Sequence, residues 1–540
     1  MHPMKTRSIL LSLWLLGSTA LSAQSGNPPS PTPEQFRPRI HFYPESGWMS
    51  DPNGLVYFDG EYHLCYQHIP FDENGNLPWG EMYWGHAVSR DLLNWQHMPI
   101  ALAPDSLGYI FSGCCVADLH NTSGLGSPGQ TPLLAIFTYY DPVAAAEGRI
   151  ETQSQGLAYS LDKGRSWIKY DKNPILSNPG IADFRDPHVF WHEPTQRWIM
   201  IVTAGKEVQL YASENCLQWS YLSAFGSDRG SHIGPWECPD LFPLRVEGSR
   251  ETKWVLLASV VNFTDSPDKL ATATQYFIGD FDGTKFTSDQ RDTLWIDYGK
   301  DNYAGITFDN APNGRRIFIG WMHSHQYAAA AQSHTTRSWS GAATFPREMS
   351  IVRRNGTYRL TSLPVKEIAE LYGQQVKLKK IRTDKTLTLS EKVPFDTAPI
   401  EINLQFGDTE APDAAARFGI RLKSPSGEYV SMEYDKSSGT MVVDRSHATY
   451  IQFSEPFSSI QRVPYRPIKG RSTWKMLIDA ASMELFVDDG ALVFTNVFFP
   501  GQPFDTIELF TDGGYATLEK GKIIQLNSIE CRPVSSTGNK

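Results

Sequence analysis

Three carboxylates in this sequence have the types and settings that acid–base chemistry needs: Asp51, Asp186 and Glu237. Each opens a strand-like segment, and Pro52, Pro187 or Pro239 follows within two residues. A single Asp before Pro usually does no more than begin a turn. Three of them, at corresponding points of repeated segments, suggest a shared site. One carboxylic acid can protonate a leaving oxygen while a carboxylate attacks carbon or activates water, which is the division of labour in glycoside cleavage. A third can stabilise oxocarbenium-like charge or hold ring hydroxyls. Crowding them raises the pKa of one and keeps it protonated. Arg185, beside Asp186, opposes that shift locally and favours an ionised Asp186.

Competing chemistries lack their parts. Residues 124–129 fit GxGxxG, but Pro128 and Pro132 deny the segment the helix that would hold a pyrophosphate. His192-Glu193 is followed by Pro194, so HExxH is incomplete, and His323 with His325 lacks a third ligand. No GxSxG or Walker A motif occurs. No cofactor and no metal are expected.

The elements that must position the carboxylates are short strands. Between residues 39 and 350, turn signals recur at FDG (58), DKG (162), FDG (281) and PNG (312), with little helical periodicity. Segments 85–95, 156–167, 209–219 and, more loosely, 275–286 repeat a strand, then Ser or Gly, then Asp, Glu or Asn, then Trp or Phe. A second repeat, out of phase, is a hairpin at 51–66, 111–140, 185–202, 237–260 and 303–321. Five such units describe a five-bladed β-propeller, whose inner strands bring equivalent positions together on one axis. Residues 351–373 read as a linker with a short helix. Residues 374–535 alternate as a β-sandwich, with the DDG at 488–490 as a hairpin turn. The fold expected is all-β throughout.

Composition sets limits. A chain of 540 residues is too long for one ordinary core, and 41% hydrophobic residues suffice for folding. The net charge of −10, spread along the chain, argues against nucleic-acid binding. Residues 1–23 read as a signal peptide: Lys5 and Arg7, an apolar run from Ile9 to Leu16, then small residues to Ala23. A Pro-rich lead-in, 24–38, follows. No later segment suits membrane insertion, so export to the periplasm or outside the cell is expected. The six cysteines read as small buried apolar residues. Oligomeric state stays open.

At these motifs the sequence resembles glycoside hydrolase family 32, the β-fructofuranosidases of invertase, inulinase and levanase type. Trp48-Met49-Ser50-Asp51-Pro52-Asn53-Gly54 is similar to its WMNDPNG, Arg185-Asp186-Pro187 to its RDP, and Glu237-Cys238 to its EC. Tyr66-Gln67, residues 84–87, Phe111-Ser112-Gly113, residues 301–304, 339–341 and 346–348 add further signatures. The resemblance implies metal-free, retaining hydrolysis of fructans (inulin or levan) or sucrose. Asp51 would be the nucleophile, Glu237 the acid and base, and Asp186 a transition-state stabiliser. Trp48, Asn53, Gln67, Trp79, Phe111, Ser112 and Arg185 would line the fructose pocket. Ser50 stands where the family has Asn, and His325 where it has Trp, which keeps fructosyl transfer open as an alternative. An inverting furanosidase and a non-catalytic fructan-binding protein also stand against the hydrolase reading.

Overall fold

The computed structural model describes residues 31–533, apart from 73–79, 262–271 and positions 355, 395 and 397. The expected signal peptide lies outside the described residues. Five antiparallel sheets follow one another along the chain, each with four principal strands. Their first strands are Gly47–Phe58, Tyr109–Ala117, Phe184–His192, Trp236–Arg245 and Tyr303–Thr307. Each of these inner strands touches the next, and the fifth touches the first. The apolar cores follow the same cycle. Trp84 and Phe137 pack between sheets one and two, Val189 and Ile136 between two and three, and Trp236 and Ile199 between three and four. Phe242 with Ile351 joins four to five, and Trp321 with Leu64 joins five to one. Trp339–Ser340 pairs in parallel with Gly47–Trp48, and Cys531–Arg532 pairs with Trp95–Gln96.

Both sequence repeats have a local physical cause. The hairpin repeat is the pair of innermost strands in each sheet. The Ser–Asp–aromatic repeat is the turn from third to fourth strand. Asp91 Oδ1 accepts from Leu93 N and Asn94 N, and Ser89 Oγ donates to it. Asp162 and Asn215 repeat that arrangement with Ser160 and Ser213. The side chain mimics a backbone turn, and the aromatic that follows packs on the sheet. The last hairpin, Arg347–Arg354 with Thr357–Pro364, belongs to the fifth sheet and so crosses residue 350, where the sequence pattern places the end of the propeller. The short connecting helix is a 3-10 turn, Lys366–Leu371.

Two six-stranded layers form the C-terminal sandwich, one of them extended by the short strand Ile381–Thr383. Its core is Phe406, Phe418, Met432, Trp474, Leu485 and their neighbours. Asp488, Asp489 and Gly490 all have positive φ, so the DDG segment is a tight hairpin turn. A Cβ on Gly490 would lie 2.0 Å from the Ser362 carbonyl, which is why glycine suits the point where this turn meets the fifth sheet.

A buried charge cluster fixes the two units together. His41 Nδ1 lies 2.7 Å from Asp479 Oδ2 and its Nε2 lies 2.8 Å from Glu484 Oε1, all of them fully buried. Arg347 binds Glu484 and Asp297. Burial alone would neutralise His41, but the two carboxylates raise its pKa to about 9. A pKa raised above the ordinary 6.5 gives stability that is complete below 6.5 and lost as pH rises through 9. His41→Gln is expected to cost on the order of 3 kcal/mol near neutrality, with the deficit shrinking toward pH 9. Thermal melts across that window check it, and a deficit constant with pH would contradict a charged His41.

Candidate active site

All five inner strands are bulged at the same height. From Met49 to Pro52 the chain takes three steps while its partner takes two, from His68 to Tyr66. The same extra residue occurs at Ile110–Gly113, Arg185–His188, Glu237–Asp240 and Tyr303–Ile306. A bulge turns consecutive side chains away from simple alternation and re-aims them. Pro187 and Pro239 fit here because they lie inside their bulges, freed from donating to the ladder, while Pro52 closes its own bulge opposite Tyr66. Gly113 fits because a Cβ there would meet the Ile136 carbonyl at 2.1 Å. Asp186 and Cys238 adopt positive φ, +62° and +45°, a strained conformation for residues with a Cβ.

The bulges divide the polar residues into three positions. Arg185, Glu237 and Tyr303 open their bulges, Asp186 and Cys238 come next, and Asp51 and Ser112 come third. The carboxylates therefore share the feature but not the register, a refinement of the equivalence read from sequence. Residues at like positions bond to one another. Arg185 Nη2 donates to Glu237 Oε1 at 2.8 Å, and the Tyr303 hydroxyl donates to Glu237 Oε2. Ser112 Oγ donates to Asp51 Oδ2 at 2.8 Å. Cys238 N donates to Asp186 Oδ2 at 3.0 Å, and its Sγ lies 3.6 Å from Asp51 Oδ2 and 3.7 Å from Asp186 Oδ2. The thiol thus sits between two carboxylates, a place beyond the apolar role expected of it. Asp186 N donates to Thr138 Oγ1 at 2.8 Å. Asp51 Oδ1 has no hydrogen-bond partner among the described residues.

Electrostatics separate the three acids. Burial raises Asp51, with His325 opposing and Glu237 adding to the rise. Burial also raises Asp186, to about 7, against the pull of Arg185. Arg185 opposes that rise, as the sequence leads one to expect, from an Nε 3.8 Å away, while its fork is engaged on Asp183 and Glu237. For Glu237 the balance is reversed. Burial pushes it up, but Arg185, His325 and the Tyr303 hydroxyl hold it below the usual range.

Asn53 is fully buried, and its Oδ1 accepts from Gly113 N at 3.2 Å. Its Nδ2 and the Gln67 Nε2 have no partner among the described residues, leaving two buried amide donors beside the inner strand. Phe111 stacks on Tyr140 at 4.7 Å. Trp48 is buried against Trp321, with ring centroids 5.7 Å apart. Trp79 lies outside the described residues. The sequence motifs give no catalytic role to Tyr303 or His325, yet both stand beside the acids. The signal for Tyr303 is its place at the head of the fifth hairpin repeat, matching Glu237 at the head of the fourth. Among the described residues, no three His, Cys, Asp or Glu side chains converge as a metal ion requires.

Residues 41–364 match the glycosyl hydrolases family 32 N-terminal domain, and residues 367–525 match the glycosyl hydrolases family 32 C terminal. A levanase of Bacillus subtilis (strain 168) is 39% identical over 512 residues, covering 94% of this chain and 72% of the levanase. An extracellular exo-inulinase of Aspergillus awamori is 34% identical, covering 89% of this chain and 93% of the inulinase. The solved β-fructofuranosidase of Schwanniomyces occidentalis, complexed with fructosyl-erythritol, has a TM-score of 0.80 at 29% identity, covering 92% and 99% of the two chains.

Proposed function

The chain belongs to glycosyl hydrolases family 32, and from that membership we propose how its ring of bulged strands works. It is a glycoside hydrolase of β-D-fructofuranosidic bonds in fructans or sucrose, the activity class of the levanase, exo-inulinase and β-fructofuranosidase it resembles. Those relatives favour hydrolysis over fructosyl transfer. We read the five sheets as a five-bladed propeller with its funnel at the bulges, and the chain as exported.

One observation carries the mechanism: Asp51 has one oxygen held by Ser112 and one without a partner among the described residues, with Glu237 held nearby by Arg185 and Tyr303. Asp51 Oδ1 attacks C2 of a fructosyl unit as the bond from C2 to the leaving oxygen breaks. Glu237 gives its proton to that oxygen. Water then attacks C2, Glu237 takes a proton from it, and the ester to Asp51 opens. In the free enzyme burial raises Asp186, whereas at Glu237 Arg185, His325 and the Tyr303 hydroxyl outweigh burial and lower it. Sugar hydroxyls donating to Asp186 favour its ionised form, and the displaced proton passes to Glu237. Asn53 and Gln67 supply the amide donors that orient the ring.

Proton NMR of the first fructose released tests this scheme. The β anomer is expected, and first release of the α anomer would exclude a covalent Asp51 intermediate. Reducing-sugar release is expected from at least one of levan, inulin and sucrose, and release from none of them would overturn the hydrolase assignment.

A further inference from the structure

A second buried ion pair sits where the sandwich meets the propeller, and it lies one step from the acid. Arg445, on the sandwich strand Thr440–His447, is fully buried. Its Nη1 donates to Asp301 Oδ2 at 2.5 Å and its Nη2 to the Tyr327 hydroxyl at 2.6 Å. The Tyr327 hydroxyl donates in turn to Asp301 Oδ1 at 2.5 Å. Val497 N, also from the sandwich, donates to Asp301 Oδ2 at 2.9 Å. The guanidinium lies 4.3 Å from the centre of the Phe457 ring.

Both partners of Arg445 lead to the catalytic centre within two residues. Asp301 precedes Tyr303, whose hydroxyl binds Glu237. Tyr327 follows His325, whose ring meets Tyr303 edge-on at 5.5 Å and tilts over Trp321 at 4.7 Å. A buried ion pair contributes little net stability, since desolvation offsets its attraction and well-packed apolar residues would hold such a seam as firmly. A planar fork with several hydrogen bonds does fix the geometry of what it holds.

We propose that Arg445 is a positioning residue for hydrolysis: through Asp301 and Tyr327, the C-terminal sandwich sets Tyr303 on Glu237 and His325 beside Tyr303 and the acids. This rests on the acid–base role proposed above for Glu237. The charged and titratable groups around Glu237 are Arg185, Tyr303, His325, Asp51, Asp186 and Cys238, and the network orients Tyr303 and His325.

The test uses the full chain with Arg445→Lys and Tyr327→Phe, beside Tyr465→Phe as a control. Tyr465 donates to Asp488 within the sandwich, far in the hydrogen-bond network from Asp301, so its loss lowers stability alone. Arg445→Lys and Tyr327→Phe are expected to lower kcat about tenfold, with KM changed less than about twofold, because the acid is misplaced while the sugar contacts remain. Loosening the Tyr303 hydroxyl raises the Glu237 carboxyl, so the alkaline limb of the kcat–pH profile moves to higher pH. Tyr465→Phe should lower Tm and leave that limb in place. Wild-type kcat and pH profile in Tyr327→Phe, or the same shift in Tyr465→Phe, would overturn the proposal, even if Arg445→Lys fails to fold. Glu237→Gln run in parallel separates the two levels. If it keeps wild-type turnover, the acid–base assignment has failed; if it is inactive while Tyr327→Phe is normal, only the role of Arg445 has.

Discussion

Asp51→Asn is expected to lower kcat on any fructan by about 10⁴-fold or more while leaving the fold intact. The replacement keeps the shape of the side chain and an oxygen that can accept from Ser112 Oγ. What it removes is the anionic oxygen that forms a bond to C2. No neighbour can substitute for it. Asp186 has its Oδ2 committed to Cys238 N, and Glu237 is held by Arg185 and Tyr303. Stability should rise slightly, because the Asp51 carboxyl is raised by burial and by repulsion from Glu237, and an amide carries neither penalty. The checks are fructose release at saturating substrate and Tm by calorimetry. Residual kcat within tenfold of wild type would remove Asp51 from the mechanism, and a collapse of Tm would make the loss structural.

What the sequence reveals, and what it leaves hidden, follows from the range of the interactions. The turns are legible because their chemistry is local: Asp59-Gly60 closes its hairpin with two positive φ values, and Asp91 caps backbone amides two and three residues away. The three carboxylates are legible because each opens a hairpin and has a proline close behind it. Their protonation is not. Arg185 is adjacent to Asp186 in sequence, yet one arm of its fork reaches Glu237, 52 residues away, because the bulge puts those two residues at like positions on neighbouring strands. Register at that level is set by strand pairing, which no motif encodes. Cys238 is hidden for the same reason: a thiol beside two carboxylates reads in sequence as one more small apolar residue. The seam between propeller and sandwich is the least legible part. Arg445 and Asp301 are 144 residues apart. Each has an opposite charge next to it in sequence, Asp444 and Lys300, which points to a local pair and away from the distant one.

Glu237→Gln separates the two halves of the reaction and tests the acid and the base in one protein. The amide keeps the volume of Glu237 and still accepts from Arg185, so the site stays assembled. It can neither protonate a leaving oxygen nor deprotonate water. On fructans, whose leaving oxygen is a strong base, kcat is expected to fall about 10³-fold, in the range that general acid catalysis supplies. On a fructosyl fluoride the leaving group needs no proton, so attack by Asp51 proceeds near its normal rate. Hydrolysis of the ester then stalls for want of a base. The protein should release one equivalent of fluoride in a burst and accumulate a fructosyl group, which mass spectrometry of the peptide containing Asp51 detects. Removing Glu237 also removes one repulsive charge from Asp51, which favours the ionised nucleophile and helps the first step. A burst with the adduct on Asp51 supports both assignments at once. Steady wild-type turnover of fructan would show that the proton comes from elsewhere, and Asp186, raised to about 7 in the free enzyme, is the group to replace next.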